Sequence, residues 1–356
     1  MKGTIIATAL AAGAGAALAA NATKKGSGYT FMDKSVVITG GSRGLGLIMA
    51  RLLADEGARV TILARNQEEL DRAAEDISQG GADVLAFRCD VTERQEVENT
   101  LRRVIEHRGR IDVLINNAGI IQVGPVEHMQ LQDFEDAMKV HLWGPLYAMQ
   151  AVVPHMKREG GGRIVNISSI GGKIAVPHLL PYVTSKFALV GLSDGMRAEL
   201  AKDNIQVTTV APGLMRTGSP YNALFKGDRE KEFGLFMLLG TLPLSAMSAQ
   251  RAARQIIEAC RNGNPDLTTT IQARLAIVAS TLFPGLFAKS LQLAVRLLPG
   301  PQGDRGDEAR SGWESQSGFT RSPIMAPTHR AAEENNERNS YYAAANGERA
   351  DAEAQG

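Results

Sequence analysis

The sequence predicts an α/β protein with a doubly wound parallel sheet of about seven strands and helices on both faces. Short apolar runs alternate with amphipathic segments of helical period from Ser35 onward. The first run, Val36–Ile38, breaks into a glycine cluster before helical periodicity begins. Unusual polar or small residues follow the strands, at the edge where such sheets bind ligands. These three observations predict both the fold and the position of its site.

The elements follow in regular order, and right-handed crossovers between parallel strands give the doubly wound topology. The strand-like runs are Val36–Ile38, Val60–Leu63, Val84–Phe87, Val113–Ile115, Ile164–Ile167 and Val207–Val210. The helical segments lie at about 44–56, 67–79, 93–107, 132–158 and 182–202.

Composition divides the chain of 356 residues into four parts. Residues 1–30 form an apolar N-terminal segment, 31–265 the main domain with a lid at 218–243, and 266–300 an apolar helical extension. Residues 301–356 are rich in Gly, Ser, Glu, Arg, Asn and Ala and have few large apolar side chains. We expect this last part to be disordered, because it buries too little surface to offset its ordering entropy.

The alanine-rich run up to Ala20 has three interpretations: a cleaved signal peptide, an uncleaved membrane anchor, or a low-complexity segment. Lys24 and Lys25 follow the run and only Lys2 precedes it, which favours leaving the remainder in the cytoplasm. The expected location is therefore a membrane, with the catalytic domain in the cytoplasm. A soluble cytoplasmic protein and an exported protein are the alternatives.

The charge balance excludes an obvious nucleic-acid partner, since 39 basic residues nearly cancel 38 acidic ones. Cys89 and Cys260 lie far apart and match no redox or metal-ligand spacing. No metal site is predicted.

The glycine turn after the first strand predicts a phosphate-binding site. Strand, glycine turn and helix point backbone N–H groups and a helix dipole at an anion. Gly40 permits the tight turn, Gly44 lets a pyrophosphate approach the backbone, and Gly46 lets the helix pack closely on the strand.

Two arginines favour NADP(H) over NAD(H), although NAD(H) remains possible. A site for NAD places an acidic residue after the second strand, but the sequence there reads Leu63-Ala64-Arg65-Asn66. Arg65, with Arg43 in the glycine turn, offers two guanidinium groups to a 2′-phosphate.

Candidate site residues follow the other strands as well. Asp90 can receive the adenine amine or only cap the next helix. Asn116–Gly119 suits a turn beside the cofactor, Ser168 and Ser169 present hydroxyls, and Ala211–Thr217 is a rigid turn whose backbone and threonine can hold a carboxamide.

Tyr182 and Lys186 are four residues apart at the start of a predicted helix and share a face. A free tyrosine has a pKa of about 10. An ammonium group one turn away favours the phenolate, so we expect Lys186 to lower the pKa of Tyr182 and make it a proton-transfer group. A serine hydroxyl nearby can then bind the substrate oxygen.

With these motifs, residues from about Lys34 to Cys260 resemble a short-chain dehydrogenase/reductase of the single-domain Y-x-x-x-K type, which has a Rossmann-like fold. Thr39–Gly46 matches the family's T-G-x-x-x-G-x-G turn, Asn116–Gly119 its N-N-A-G, and Pro212-Gly213 with Thr217 its nicotinamide motif. The resemblance implies that Ser169 is the catalytic serine, Tyr182 the acid/base, and Lys186 its partner and a ribose ligand. The expected cofactor-binding residues are Gly40, Ser42, Arg43, Gly44, Leu45, Gly46, Arg65, Asp90, Asn117, Ala118, Gly119, Tyr182, Lys186, Pro212, Gly213 and Thr217.

One position departs from the family pattern. Val140-His141-Leu142-Trp143-Gly144 stands where the family usually has V-N-x-x-G, whose asparagine helps a proton relay. His141 can hold a water and titrates near neutrality, so it is a candidate catalytic residue. Alternatively, it caps a helix kink and takes no part in the chemistry.

The lid and the extension favour a lipophilic substrate. The lid is rich in aromatic and aliphatic residues, which either line a substrate pocket or only pack the lid down. Ile271–Leu298 is an apolar helical stretch with three basic residues, suited to a membrane surface or a dimer interface. We also expect a homodimer or homotetramer.

These observations predict an NADP(H)-dependent oxidoreductase that interconverts a ketone or aldehyde with an alcohol. The alternative is a dinucleotide-binding regulator or scaffold at a membrane, with His141 a sign of lost turnover. The intact Ser169, Tyr182 and Lys186 favour the enzyme, because a scaffold has no physical need for all three.

Overall fold

A computed structural model describes residues 28–243, 245–303 and 306–337. The predicted N-terminal segment lies outside these residues except at 28–30, and so does the end of the chain from 338. The segments expected as a signal or anchor therefore stay predictions.

Seven parallel strands form the central sheet, in the order β3-β2-β1-β4-β6-β7-β11. They are β1 (Ser35–Thr39), β2 (Arg59–Ala64), β3 (Val84–Arg88), β4 (Val113–Asn116), β6 (Gly162–Ile167), β7 (Ile205–Ala211) and β11 (Asp266–Thr268). The two-residue strands are β5 (Gln122–Val123), β8 (Met215–Arg216), β9 (Leu224–Phe225), β10 (Met247–Ser248) and β12 (Arg310–Ser311), and they pair outside this sheet. Strand order reverses between β1 and β4, which places the ligand crevice there.

Twelve α-helices are described, and those between the strands cover both faces of the sheet. They are α1 (Gly44–Asp55), α2 (Gln67–Ser78), α3 (Arg94–Arg108), α4 (Leu131–Met138), α5 (Gly144–Arg158), α6 (Leu180–Leu200), α7 (Ser219–Asn222), α8 (Arg229–Thr241), α9 (Ala249–Asn262), α10 (Ile271–Leu282), α11 (Pro284–Val295) and α12 (Ala326–Glu334). The predicted doubly wound fold is confirmed.

The core has two layers because successive side chains of a strand point to opposite faces. On β1, Val36 and Ile38 pack in the cluster that contains α1 and α9. Val37 faces the other cluster, with residues of α3 and α5. All three valine and isoleucine side chains of this strand are fully buried, as the apolar run predicts.

The seventh strand lies where the sequence predicts only a helical extension. Residues Asp266–Thr268 pair with β7 in parallel register, Leu267 opposite Val210. Three residues with one large apolar side chain carry too weak a pattern to predict a strand, and the edge of β7 supplies the pairing. Helices α10 and α11 follow it, as expected.

The expectation that residues 301–356 are disordered is wrong for 306–337. This part contains β12, which pairs with β9 of the lid, and helix α12. Met325 and Ala332 are buried in a third cluster with lid residues Phe225, Phe233 and Met237. The apolar lid supplies the contacts that this sequence lacks on its own, so its ordering entropy is offset by packing against a neighbour.

Candidate active site

The glycine turn joins β1 to α1 at the edge of the sheet. Gly40 has a φ of 65°, and its N–H donates to the Leu63 carbonyl oxygen over 2.7 Å. An ideal Cβ at Gly46 would lie 2.1 Å from the carbonyl oxygen of Gly40. Any side chain at Gly46 therefore collides with backbone, which confirms the close packing predicted from the motif.

The end of β4 holds this turn in place. The Asn117 side-chain amide donates to the Gly40 carbonyl oxygen at 3.0 Å. The Thr39 hydroxyl oxygen accepts from the N–H groups of Asn117 and Ala118 at 3.0 and 3.2 Å. The N-N-A-G turn thus lies against the glycine turn, as expected, and stabilises its shape.

Ser169 lies just beyond β6, at the same edge as the glycine turn. Its hydroxyl accepts from the N–H of Gly171 at 3.0 Å and hydrogen-bonds Tyr182. Ser168 instead donates to the Lys186 carbonyl oxygen at 3.1 Å. Ser169 is therefore the hydroxyl that faces the phenol, in agreement with the choice made from the sequence.

Tyr182 and Lys186 lie on the first turns of α6, and Lys186 is buried. The ammonium nitrogen of Lys186 is 5.6 Å from the centre of the Tyr182 ring and donates to the Ile167 carbonyl oxygen at 2.9 Å. The structure therefore brings Ser169, Tyr182 and Lys186 together beside the end of β6.

The expected lowering of the Tyr182 pKa is absent from this structure. Burial raises the pKa of Tyr182 above its ordinary value, and the hydrogen bond from Ser169 only partly offsets this. Burial also lowers the pKa of Lys186 to about 7, which weakens its ammonium charge near neutrality. The sequence shows that the two groups are neighbours but not how completely they are buried. Burial decides the direction of the pKa shift of both Tyr182 and Lys186.

His141 lies in a π-helical turn, Lys139–Trp143, that interrupts the long helix predicted at 132–158. Its Nε2 accepts from the Ile120 N–H at 3.1 Å, so Nδ1 carries the proton and donates to Ser185 Oγ at 2.8 Å. Ser185 in turn donates to the Tyr182 carbonyl oxygen. Burial, with Lys186, holds the pKa of His141 well below its usual range.

His141 is therefore neutral, with both ring nitrogens engaged by the protein. This geometry fits the second sequence interpretation, a histidine at a helix irregularity, and leaves no ring nitrogen for a titrating relay. Its edge contacts the Tyr182 ring, at 5.4 Å between centroids. Through Ser185 and this ring contact, His141 is joined to the first turn of α6.

The residues expected at the adenosine end are differently engaged. Arg43 pairs with Glu69 at 3.1 Å and also donates to Asn222. Arg65 is exposed and has no hydrogen bond or ion pair within the described part of the chain. Asp90 accepts from the N–H and hydroxyl of Thr92 and so forms a turn before α3, whose N-cap is Glu93; it does not cap that helix.

At the nicotinamide end, the turn after β7 is fixed by its neighbours. The Pro212 carbonyl oxygen accepts from the Ile170 N–H at 2.7 Å, and the Gly213 N–H donates to Thr269 at 3.2 Å. Thr217 hydrogen-bonds Ser219 at 2.6 Å. These contacts join the ends of β6, β7 and β11 into one wall of the crevice.

Three residues at the site have no counterpart in the sequence analysis: Asn335, Asn336 and Glu337. The Asn335 carbonyl oxygen accepts from the Gly44 N–H at 2.9 Å, and the Glu337 carboxylate accepts from the Gly218 N–H at 2.5 Å. A polar tripeptide in a polar segment carries no pattern that could have predicted this position.

The donors of the turn fit the phosphates of a dinucleotide. The Glu337 carboxyl group accepts from the backbone N–H of Gly218, and its Oε1 would lie 3.0 Å from an ideal Cβ on Gly44. The N–H groups of Gly44 and Gly218 thus form a phosphate cradle, which accommodates an anion only because residue 44 has no side chain. Gly44 and Gly218, whose N–H groups make these contacts, are the residues that would hold the pyrophosphate.

A family model described as short chain dehydrogenase matches residues 34–223. The chain belongs to the short-chain dehydrogenase family. It is 38% identical over 186 residues to human 3-oxoacyl-[acyl-carrier-protein] reductase, covering 52% of this chain and 77% of that one. It is also 30% identical over 257 residues to an uncharacterized oxidoreductase of Bacillus subtilis strain 168, covering 71% and 70% of the two chains.

Solved structures agree with this assignment to the short-chain dehydrogenases. A gluconate 5-dehydrogenase from Burkholderia cenocepacia, crystallised with NADP and tartrate, superposes with a TM-score of 0.60 at 29% identity. The match covers 69% of this chain and 97% of that one. Short-chain dehydrogenases are oxidoreductases that bind NAD(P)(H), which agrees with the cofactor class expected from the glycine turn.

Proposed function

We propose that this short-chain dehydrogenase is an NADP(H)-dependent enzyme that interconverts a lipophilic ketone or aldehyde with an alcohol. The observation that carries the proposal is the convergence of Ser169, Tyr182 and Lys186 beside the glycine turn. Bound NADPH would supply the hydride. Ser169 orients the carbonyl oxygen, the Tyr182 hydroxyl donates the proton to that oxygen, and Lys186 holds the ribose and supports the phenol electrostatically.

The direction of the pKa shift favours reduction at neutral pH. A phenol whose pKa is raised by burial keeps its proton, which is the form needed to protonate a carbonyl oxygen. As pH rises through the pKa of Tyr182, carbonyl reduction should slow and alcohol oxidation should accelerate. His141 adds no titrating group near neutrality. Lys186 does, because burial lowers its pKa to about 7, so its ammonium charge and the support that it gives the phenol are lost as pH rises through that value.

Apolar side chains close to the catalytic residues favour a lipophilic substrate. Fewer of the apolar lid residues are free to line a substrate pocket than the sequence suggests. Tyr221, Phe225, Phe233 and Met237 are buried in the cluster with α12 and so pack the lid down. The partly buried Ile121, Leu179, Phe236 and Leu238 pack against the same cluster. Leu179 immediately precedes α6 and therefore lies one turn from Tyr182.

The preference for NADP(H) is supported by the exposed, uncommitted Arg65 and by the place of Arg43 in the glycine turn. We expect Arg65→Ala to lower the ratio of kcat/KM for NADPH to that for NADH about tenfold, because one charge-assisted contact to the 2′-phosphate is lost. Steady-state rates with a panel of lipophilic ketones and aldehydes measure this ratio.

Arg158→Ala is the matched control for that variant. Arg158 is an exposed arginine at the end of α5, just before the start of β6 and therefore at the edge of the sheet opposite to the site. The ratio of kcat/KM for NADPH to that for NADH should therefore not change in this variant. If wild-type protein uses NADH as well as NADPH, the cofactor preference is wrong. If no compound reacts while NADPH binds, the scaffold alternative replaces the enzyme.

We also propose that α10 and α11 lie on a membrane surface. Among the described residues no single helix is long and apolar enough to cross a membrane, although these two, bent by 120°, pass together on length and composition. They expose a set of large apolar side chains: Ile271, Leu275, Val278, Leu282, Phe283, Leu286 and Leu293. Arg274 and Lys289 lie among them and suit an anionic headgroup layer.

Leu275→Glu with Leu286→Glu should reduce binding of the full chain to anionic vesicles at least tenfold, because two leucines lose about 1.5 to 3 kcal/mol each of apolar burial. Vesicle flotation measures the bound fraction. Leu131→Glu, at an equally exposed leucine on α4, is the control and should bind normally. Flotation that stays unchanged also in a chain without residues 1–20 would contradict the proposal, because the N-terminal run could otherwise hold the protein on the vesicles. A changed oligomeric state would assign the helix pair to a subunit interface instead.

A further inference from the structure

The end of the described chain runs through the phosphate cradle. After α12, residues Asn335–Glu337, which we call the strap, cross the glycine turn. The strap takes up two backbone donors there: the Gly44 N–H binds the Asn335 carbonyl oxygen and the Gly218 N–H binds the Glu337 carboxylate. Neither donor can bind a phosphate oxygen while these bonds are in place.

The strap also covers the adenosine corner. The Asn336 side-chain amide donates to the carbonyl oxygens of Ser42 and Glu69, each at 2.9 Å, and its oxygen accepts from Arg72 at 2.8 Å. Asn336 has a φ of 54°, a left-handed conformation that asparagine adopts more readily than most residues. The contacts are specific to asparagine, since both its donor and its acceptor are used.

Helix α12 fixes where the strap lies. Ala332 and Met325 are buried against the lid, and His329 hydrogen-bonds Tyr221. Arg51 of α1 donates to the Asn335 side chain at 3.0 Å and to the Glu334 carbonyl oxygen at 2.9 Å. The strap is therefore held at its first residue both by α12, which packs on the lid, and by α1, the helix whose N-terminus forms the cradle.

The Glu337 carboxylate is the least stable contact of the strap, because its charge is buried. The Glu337 carboxylate is buried and has no ion pair among the described residues. Burial raises the pKa of Glu337 to about 7, so its negative charge is costly in this position. A pyrophosphate keeps its charge at neutral pH and is bound by the same donors, so it can replace the carboxylate.

We propose that the strap is an autoinhibitory segment that occupies the phosphate cradle and must leave before a dinucleotide binds. This inference rests on the proposed function, because it assumes that the cradle holds NADP(H). The strap then regulates cofactor affinity: the apparent Kd equals the intrinsic Kd divided by the fraction of molecules in which the strap is undocked. Any event that withdraws the C-terminal segment activates the enzyme.

Two measurements on the full chain test the strap. Asn336→Ala with Glu337→Ala should tighten NADPH binding about tenfold, as measured by fluorescence titration, because the docked fraction falls. Glu334→Ala is the matched control: this exposed glutamate has the same charge and lies one turn away, and its Kd should not change.

The second measurement is cleavage by a glutamate-specific protease, followed by mass spectrometry. Saturating NADPH should speed cleavage after Glu337 several-fold in the wild-type chain, since the strap leaves the cradle. Cleavage after the exposed Glu159, at the end of α5 and away from the strap, is the internal reference. Slower cleavage after Glu337 at saturating NADPH would show that the strap closes over the cofactor, which overturns the inference.

The outcomes separate the strap from the proposed function. If wild type and all variants bind NADPH with the same Kd, the function stands and the strap is not inhibitory. If no variant binds NADPH, the proposed function fails and the strap inference fails with it. Weaker binding by the double variant would make Glu337 part of the cofactor site and would also overturn the inference.

Discussion

Tyr182→Phe should lower kcat for carbonyl reduction about 10²- to 10⁴-fold, which is the usual contribution of a positioned general acid. The phenol hydroxyl is the group that Ser169 faces, and burial keeps it protonated at neutral pH. The substitution removes one oxygen and leaves the ring, with its edge contact to His141, in place. The measurement is NADPH consumption at saturating substrate.

Binding separates this effect from a structural one. The Kd of the Tyr182→Phe variant for NADPH should lie within about threefold of wild type, because the backbone donors of the cradle are unchanged. A variant that retains more than about a tenth of the wild-type kcat would remove Tyr182 from the proton-transfer role.

Gly46→Ala should destabilise the fold by about 3 kcal/mol and lower the Tm by roughly 10 °C. The new Cβ would lie 2.1 Å from the Gly40 carbonyl oxygen and 2.7 Å from the Asn117 side-chain nitrogen. Both belong to the hydrogen-bonded turn, so neither can move without breaking the bond between them. Thermal unfolding followed by circular dichroism measures the change.

Gly191→Ala is the matched control for this substitution. Gly191 lies within α6, and an ideal Cβ there has nothing within 4 Å. Alanine favours the helix over glycine by up to about 1 kcal/mol, so the Tm should stay constant or rise. An unchanged Tm for Gly46→Ala would show that the glycine turn tolerates a side chain and that the packing argument is wrong.

The sequence predicts most of the sheet because its strands are buried on both faces and therefore nearly continuous in apolar residues. Val36–Ile38 is an example. The motifs at the strand ends could also be predicted, because the spacing of their residues is local. β11 is different, since its three residues are recruited by the edge of β7 and carry little signal of their own.

The site could be predicted as a set of residues but not as an electrostatic environment. Tyr182 and Lys186 lie where the four-residue spacing indicates, yet the direction of the Tyr182 pKa depends on burial that only the fold reveals. The pairing of Arg43 with Glu69 joins two elements 26 residues apart. Such long-range partners leave no periodic pattern in the chain.

Residues 306–337 illustrate the same limit for order itself. The composition of this segment alone provides too little apolar surface for it to fold. The structure supplies the missing surface from the lid, where Phe225, Phe233 and Met237 pack against Met325 and Ala332. The position of the strap is set by this packing of α12 on the lid, and no pattern in the strap's own sequence predicts it.

The most direct test of the central claim is transfer of deuterium from NADPH that carries deuterium at both nicotinamide C4 positions to a lipophilic ketone or aldehyde. We expect one deuterium on the carbinol carbon of the product formed by the wild-type protein, and almost none with Tyr182→Phe over the same time. NADPH that binds tightly but transfers no deuterium to any compound of the panel would contradict the account.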